Sequence, residues 1–266
     1  MEMTWWQTIL IAIVEGLTEF LPVSSTGHMI VTQKILSVPS SEFIKAFTVI
    51  VQFGAILSVI VLYYKRFFQS FDFYWKLFIA FIPAAVLGFL FSDKIDMLLE
   101  SVVVVAIMLI LGGILMLFVD TWFNKPSKDQ TVTPKKAFFI GLAQCIAMIP
   151  GISRSMATIV GGMAQRLTRK EAAEFSFFLA VPTMFAASAY KLLKLVTNPE
   201  SRTVLVQNID VLIIGNVIAF IVAILAIKFF IGFITKYGFK AFGIYRVIVG
   251  VILLVLLMQG YDLSII

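Results

Sequence analysis

Charged side chains are scarce in this chain: Asp, Glu, Lys and Arg make up 14% of its 266 residues, against 61% hydrophobic residues. The mean hydropathy is +1.02. A soluble domain of this size does not have so apolar a composition, so a soluble globular protein is excluded. The composition is typical of a polytopic all-α membrane protein, in which each spanning helix needs ~20 mostly apolar residues.

Cysteine and histidine occur only once each, as Cys145 and His28. One cysteine excludes an internal disulfide and a zinc site of the cysteine type. The first apolar stretch has no basic segment before it and carries Glu15 and Glu19, so we interpret it as mature protein and not as a signal peptide. The net charge of +6 is not accompanied by a basic segment interleaved with aromatics, so no nucleic acid partner is expected.

The polar side chains that are present concentrate in EGLTEFLPVSSTGH, residues 15–28, which holds two carboxylates, four hydroxyls and the only histidine. Ionisable groups within a membrane are costly, and a functional role is the default hypothesis for them. Glycine and proline also break the helix here, which a membrane tolerates only inside protein or beside a watery cavity. This stretch is therefore the first candidate site.

The order of apolar segments predicts two similar halves. Residues 5–21 form a helix that Pro22 ends, and Ser24, Ser25 and Thr26 can cap a second piece, to about Leu36, that is too short to cross a membrane. This broken helix predicts a re-entrant hairpin. Three long segments follow, at about 43–64, 74–91 and 101–123; after a polar linker, the pattern repeats as a broken helix around 137–165 and segments at about 171–193, 209–234 and 241–258.

Short sequence motifs also recur between the two halves. GLTE at 16–19 parallels GLAQ at 141–144, and PVSS at 22–25 parallels PGIS at 150–153. We therefore predict one membrane domain over 1–266, built as an inverted repeat with halves at about 1–123 and 136–260 and a linker at 124–135. Each half is a re-entrant helical hairpin plus three transmembrane helices, and an odd number of crossings inserts the halves upside down.

The basic residues predict the orientation. Thirteen of the 21 Lys and Arg fall on one predicted side and six on the other, with Arg154 and Arg246 set aside as intramembrane. The richer side is expected to be cytoplasmic. Both termini then lie outside, and the polar tips of the two hairpins meet near the middle of the membrane.

Arg154, in the glycine- and serine-rich word PGISRSMAT, is the second unusual polar residue. Helix N-terminal N–H groups and a guanidinium together favour an anion, phosphate above all. Alternatively, Arg154 pairs with Glu15 or Glu19 and only holds the hairpins together; both roles are compatible. The hydroxyls expected to help bind phosphate are those of Ser24, Thr26, Ser153, Ser155 and Thr158.

The first hairpin supplies the reactive groups. Ser24 and Ser25 are candidate nucleophiles, which need an adjacent base, and His28 is the candidate acid or base. Glu15 and Glu19, four residues apart on one helix face, are orienting carboxylates or ligands for Mg²⁺ or Ca²⁺. These residues alone leave open whether the protein is a phosphatase or carries phosphate or a lipid phosphate.

The words EGLTEFLPVSSTGH and PGISRSMAT resemble the two signature motifs of the bacterial undecaprenyl pyrophosphate phosphatase family, linked to bacitracin resistance. The resemblance covers essentially the whole chain, including EFSFFLAVP at 174–182 and Tyr245-Arg246. It implies a phosphatase of the bacterial cytoplasmic membrane that depends on a divalent cation, opens outward and recycles the lipid carrier for cell-wall synthesis.

The resemblance places Glu15, Glu19, Ser25, His28 and Arg154 on the family's functional positions. Our mechanistic hypothesis has Ser25 attack the terminal phosphorus, with His28 or Glu19 taking its proton; water activated by Glu19, or His28 itself, is the alternative nucleophile. The alternative function is a polyprenyl-phosphate carrier that uses the same anion site. The sequence does not determine the oligomeric state, and a homodimer is compatible with it.

Overall fold

The computed structural model describes residues 3–39, 41–67, 70–99, 101–261 and 263. In this part of the chain every regular element is a helix, which confirms the predicted all-α class. The helices are α1 (Trp5–Thr18), α2 (Ser25–Ile35), α3 (Glu42–Leu62), α4 (Tyr64–Phe67), α5 (Phe71–Leu90), α6 (Ser92–Leu99), α7 (Val102–Trp122), α8 (Pro134–Ile146), α9 (Arg154–Ala164), α10 (Arg169–Thr197), α11 (Pro199–Gln207), α12 (Ile209–Tyr237) and α13 (Lys240–Met258).

Among the described residues, six helices are long and apolar enough to cross a membrane: α3, α5, α7, α10, α12 and α13. They are the six predicted spanning segments, with ends within a few residues of the predicted ones. The 29 residues each of α10 and α12 extend over about 43 Å at 1.5 Å per residue, so their ends project beyond ~30 Å of hydrocarbon. The short helices α4, α6 and α11 are not predicted by the apolar pattern.

The two broken helices form hairpins, α1–α2 and α8–α9, whose second arms begin in the same way. Ser24 caps α2 with φ of 71°, and Ser153 caps α9 with φ of 77°. Each cap hydroxyl accepts a hydrogen bond from the backbone N–H three residues on. The two caps therefore make Ser24 equivalent to Ser153. Aligning Pro22 with Pro150 would instead place Ser25 opposite Ser153, because the second turn is one residue longer than the first.

Two pairs of helices at equivalent positions of the predicted halves, α3 with α10 and α7 with α13, run antiparallel to each other. Between α3 and α10, Ser188 donates to the carbonyl of Val49, while Tyr63 packs edge-on against Phe178. Between α7 and α13, a Cβ at Gly243 would meet Met116, whereas one at Gly250, further along α13, would meet Ile110, earlier on α7. Antiparallel equivalents are what an inverted repeat requires. The inverted repeat and its orientation in a membrane stay predictions.

The first arm of each hairpin packs against a helix of the opposite half. A Cβ at Gly16 would contact the carbonyl oxygen of Ala219 on α12, and one at Gly141 would collide with that of Ala80 on α5. The two partner alanines begin closely similar words, AFIPA at 80–84 and AFIVA at 219–223. Each hairpin therefore packs against the opposite half of the chain, through close helix contacts that only glycine permits.

Asp120, at the end of α7, joins three segments on one face of the molecule. Its Oδ1 accepts from Nε of Arg169 at 2.7 Å, and its Oδ2 accepts the backbone N–H of Phe239 at 2.7 Å. The end of α7, the start of α10 and the α12–α13 turn thus lie together. These are ends that the sequence assigns to the same side of the membrane, the one predicted to be cytoplasmic.

Candidate active site

The two hairpin tips meet at an ion pair between Glu19 and Arg154. Nη2 of Arg154 lies 3.2 Å from Oε1 of Glu19, and the two side chains are only 13% and 5% exposed. The other carboxylate oxygen, Oε2, accepts a hydrogen bond from Oγ of Ser25 at 2.8 Å. One buried carboxylate therefore joins the candidate nucleophile to the candidate anion-binding group.

Arg154 is held on its far side by α10. Its Nη1 donates to the carbonyl of Ser176 at 3.0 Å, and the hydroxyl of Ser176 bonds that of Thr158 at 2.6 Å. The guanidinium carbon also lies 5.9 Å from the centre of the Phe20 ring, within reach of a cation–π contact. These partners fix the guanidinium in place, while its Nε has no hydrogen-bond partner.

Glu15 lies one turn before Glu19 and is fully buried. Neither of its carboxylate oxygens has a hydrogen-bond partner in the structure. Buried acceptors are rarely left so, and two such oxygens beside the Glu19 carboxylate suit an oxygen-binding cation. Among the described residues no group of three or more His, Cys, Asp and Glu could hold a metal ion, so most ligands of such a cation would come from substrate and water.

His28 does not contact Ser25 through either ring nitrogen. Nδ1 lies 2.8 Å from the carbonyl oxygen of Ser24, and Nε2 lies 2.6 Å from the hydroxyl of Tyr245 on α13. The His28 and Tyr245 rings stack with centres 5.5 Å apart. Of the two bases that the sequence suggests for Ser25, Glu19 is the one within hydrogen-bond distance of its hydroxyl.

The remaining hydroxyls predicted to bind phosphate differ in their accessibility. Ser155 is fully buried and donates to the carbonyl of Leu21, and Thr158 is fully buried against Ser176. In this arrangement both side chains join the second hairpin to its surroundings. Ser24 and Ser153 cap their helices, and Thr26 is partly exposed in the first turn of α2.

Arg246, one residue after Tyr245, holds both hairpin turns against α7. It is fully buried, and five carbonyl oxygens accept its N–H groups: those of Pro22 (3.1 Å), Ile152 (2.9 Å), Gly151 (2.7 Å), Met108 (3.1 Å) and Leu109 (3.4 Å). The first three carbonyls belong to the two hairpin turns, where they accept no hydrogen bond from a helix backbone. One guanidinium therefore fixes how the two tips approach each other.

Sequence reasoning missed three residues of this arrangement: Ser176, Tyr245 as the partner of His28, and Arg246 as the clamp. Arg246 did carry a signal, because an arginine inside an apolar segment is functional or paired by default. Ser176 lies in the motif EFSFFLAVP, but a lone serine in a spanning helix is ordinary and does not by itself indicate a role.

Comparisons with known proteins identify the family of this chain. Residues 8–252 match the family model of bacitracin resistance protein BacA. An undecaprenyl-diphosphatase from Porphyromonas gingivalis W83 is 56% identical over 282 residues, covering 99% of this chain and 100% of that protein. Relatives with the same name from Flavobacterium psychrophilum (96% of each chain) and Aquifex aeolicus (94% of this chain, 97% of that protein) are 58% and 43% identical. The chain therefore belongs to the BacA family of bacitracin resistance proteins.

Proposed function

We infer that this protein is an integral membrane phosphatase that hydrolyses undecaprenyl diphosphate to undecaprenyl phosphate and phosphate, returning the lipid carrier to cell-wall synthesis. The names of the full-length relatives support the substrate. The observation that carries the chemistry is the contact of Ser25, Glu19 and Arg154: a hydroxyl 2.8 Å from a carboxylate that a guanidinium also binds. A nucleophile, its base and an anion-binding group are the parts that phosphoryl transfer needs.

We propose that incoming diphosphate competes with Glu19 for Arg154. The guanidinium then binds phosphate oxygens, and Glu19 keeps Ser25 as its partner. Oγ of Ser25 attacks the terminal phosphorus as its proton passes to Glu19, and the anhydride bond to the lipid phosphate breaks, so undecaprenyl phosphate leaves. Water then attacks the phosphoserine and the bond from phosphorus to Oγ breaks. Oγ takes back its proton from Glu19, and phosphate leaves with the protons of the water. In the variant mechanism, water activated by Glu19 attacks phosphorus directly, and Ser25 orients it.

Glu15 and Glu19 would hold the divalent cation, Mg²⁺ or Ca²⁺, together with oxygens of the substrate. When bound, such a cation neutralises phosphate charge and polarises the phosphorus–oxygen bonds. The two unpartnered oxygens of Glu15 support this assignment, because buried acceptors are rarely left without a partner.

We further propose that the protein lies in the bacterial cytoplasmic membrane with both termini outside and the site opening outward. The distribution of lysine and arginine supports this orientation. A homodimer stays a prediction. The carrier alternative shares the antiparallel halves, but it needs no nucleophile, and the Ser25–Glu19 contact favours the hydrolase.

The test is phosphate release from undecaprenyl diphosphate by the purified protein in detergent, with and without a chelator. We expect metal-dependent release that Ser25→Ala, Glu19→Gln and Arg154→Ala each abolish while the variants remain folded. A phosphoserine trapped at Ser25 after an acid quench would distinguish serine attack from direct attack by water. If the folded wild-type protein releases no phosphate under any metal condition, the enzyme assignment is wrong.

A further inference from the structure

The contacts of His28 fix which ring nitrogen carries its proton. A carbonyl oxygen can only accept a hydrogen bond, so Nδ1, 2.8 Å from the Ser24 carbonyl, must be an N–H donor. In the neutral ring Nε2 is then an acceptor, and the Tyr245 hydroxyl, 2.6 Å away, donates to it. The opposite tautomer would turn the Nδ1 lone pair toward the carbonyl oxygen and lose this bond.

This tautomer ties His28 to the peptide that presents the nucleophile. The carbonyl of Ser24 accepts both Nδ1–H and the backbone N–H of His28, the latter at 3.3 Å. Ser24 has a φ of 71°, in a region that residues other than glycine adopt at a cost. Two donors on one carbonyl therefore hold a strained peptide whose next residue is Ser25.

Tyr245 reaches this contact from another part of the chain. It lies on α13, 217 residues from His28, and its neighbour Arg246 clamps the carbonyls of both hairpin turns. Its ring stacks on the imidazole at an interplanar angle of 12°. The stack sets the plane of the imidazole, and the hydroxyl sets which nitrogen stays unprotonated.

We propose that Tyr245 is a positioning residue for the phosphatase reaction: its hydroxyl holds His28 with Nδ1–H on the Ser24 carbonyl, and so aligns Ser25 with Glu19. The proposal rests on the proposed function only in naming Ser25 as the reacting group. It assigns His28 a role through the backbone, in place of proton transfer from Ser25.

The test uses the fact that His28 is the only histidine in the chain. Protein labelled with ¹⁵N-histidine and purified with a tag free of histidine gives nitrogen NMR signals from His28 alone. We expect the wild type to show a protonated Nδ1 and an unprotonated Nε2. Tyr245→Phe keeps the ring stack and removes the hydroxyl; we expect it to shift the Nε2 signal and to mix the two tautomers.

The same variants are assayed for phosphate release. Tyr245→Phe is expected to lower kcat roughly tenfold, the effect of one lost hydrogen bond, with little change in KM. Tyr190→Phe, at an exposed tyrosine on α10, is the matched control and should change neither spectrum nor rate. A wild-type spectrum with protonated Nε2 and bare Nδ1, or a Tyr245→Phe spectrum identical to wild type, overturns the proposal. If the spectra are as expected but no variant or wild type releases phosphate, the proposed function fails while the Tyr245–His28–Ser24 geometry stands.

Discussion

Replacing Arg246 by lysine tests whether one side chain assembles the site. The guanidinium makes five hydrogen bonds to carbonyl oxygens, whereas an ammonium has three N–H groups at a single point. At least two bonds from a charged donor are lost, each worth ~1.5–3 kcal/mol, so Arg246→Lys should destabilise the assembled hairpins by ~3–6 kcal/mol. Since each 1.4 kcal/mol is a factor of ten, activity should fall by roughly 100-fold or more.

The assay combines phosphate release with thermal unfolding in the same detergent. Arg154→Lys is the matched comparison, because Arg154 has only two oxygen partners; it should lose activity with a smaller drop in melting temperature. Gly112→Ala perturbs the clamp without touching its charge, since a Cβ there would collide with Nη2 of Arg246, and Gly232→Ala, where a Cβ meets no atom within 4 Å, is its control. Near wild-type activity and melting temperature in Arg246→Lys would refute the clamp.

Three further results are expected. Glu15→Gln should abolish any rise in the melting temperature on adding Mg²⁺, because proteins hold this cation mainly through carboxylates; a full Mg²⁺ response in this variant would exclude Glu15 as a ligand. Gly54→Ala should destabilise the protein by ~1–3 kcal/mol or more, since its Cβ would collide with the backbone of Asn216, whereas equal melting of Gly54→Ala and Gly232→Ala would contradict that contact. Ser24→Ala and Ser24→Gly both remove the side chain that caps α2, a loss of ~0.5–2 kcal/mol. Because glycine tolerates the positive φ at this position, Ser24→Gly should destabilise the protein less than Ser24→Ala, by ~1 kcal/mol in unfolding experiments. The opposite order would show that Ser24 carries no backbone strain.

The helices were predictable because their signals are local. Each of the six spanning helices is an apolar run of sufficient length, and Pro22 and the Ser24 cap mark the break in the first hairpin within a few residues. The repeat was harder to align, because the words that match are short. In the structure, equivalent residues of the predicted halves are identified by the contacts that they share. Ser24 and Ser153 each cap a second arm, and Gly16 and Gly141 each lie against a helix of the opposite half.

The sequence by itself determined the all-α membrane class, the two polar motifs and most candidate site residues, because a charged or polar side chain in an apolar chain stands out wherever it lies. Only the tertiary structure decided which of them touch. Glu19, and not His28, receives the Ser25 hydroxyl, and Arg154 reaches a carboxylate 135 residues away. The clamp at Arg246 depends on backbone carbonyls, which every residue carries and which no sequence pattern reveals; their position follows from the packing of the helices alone.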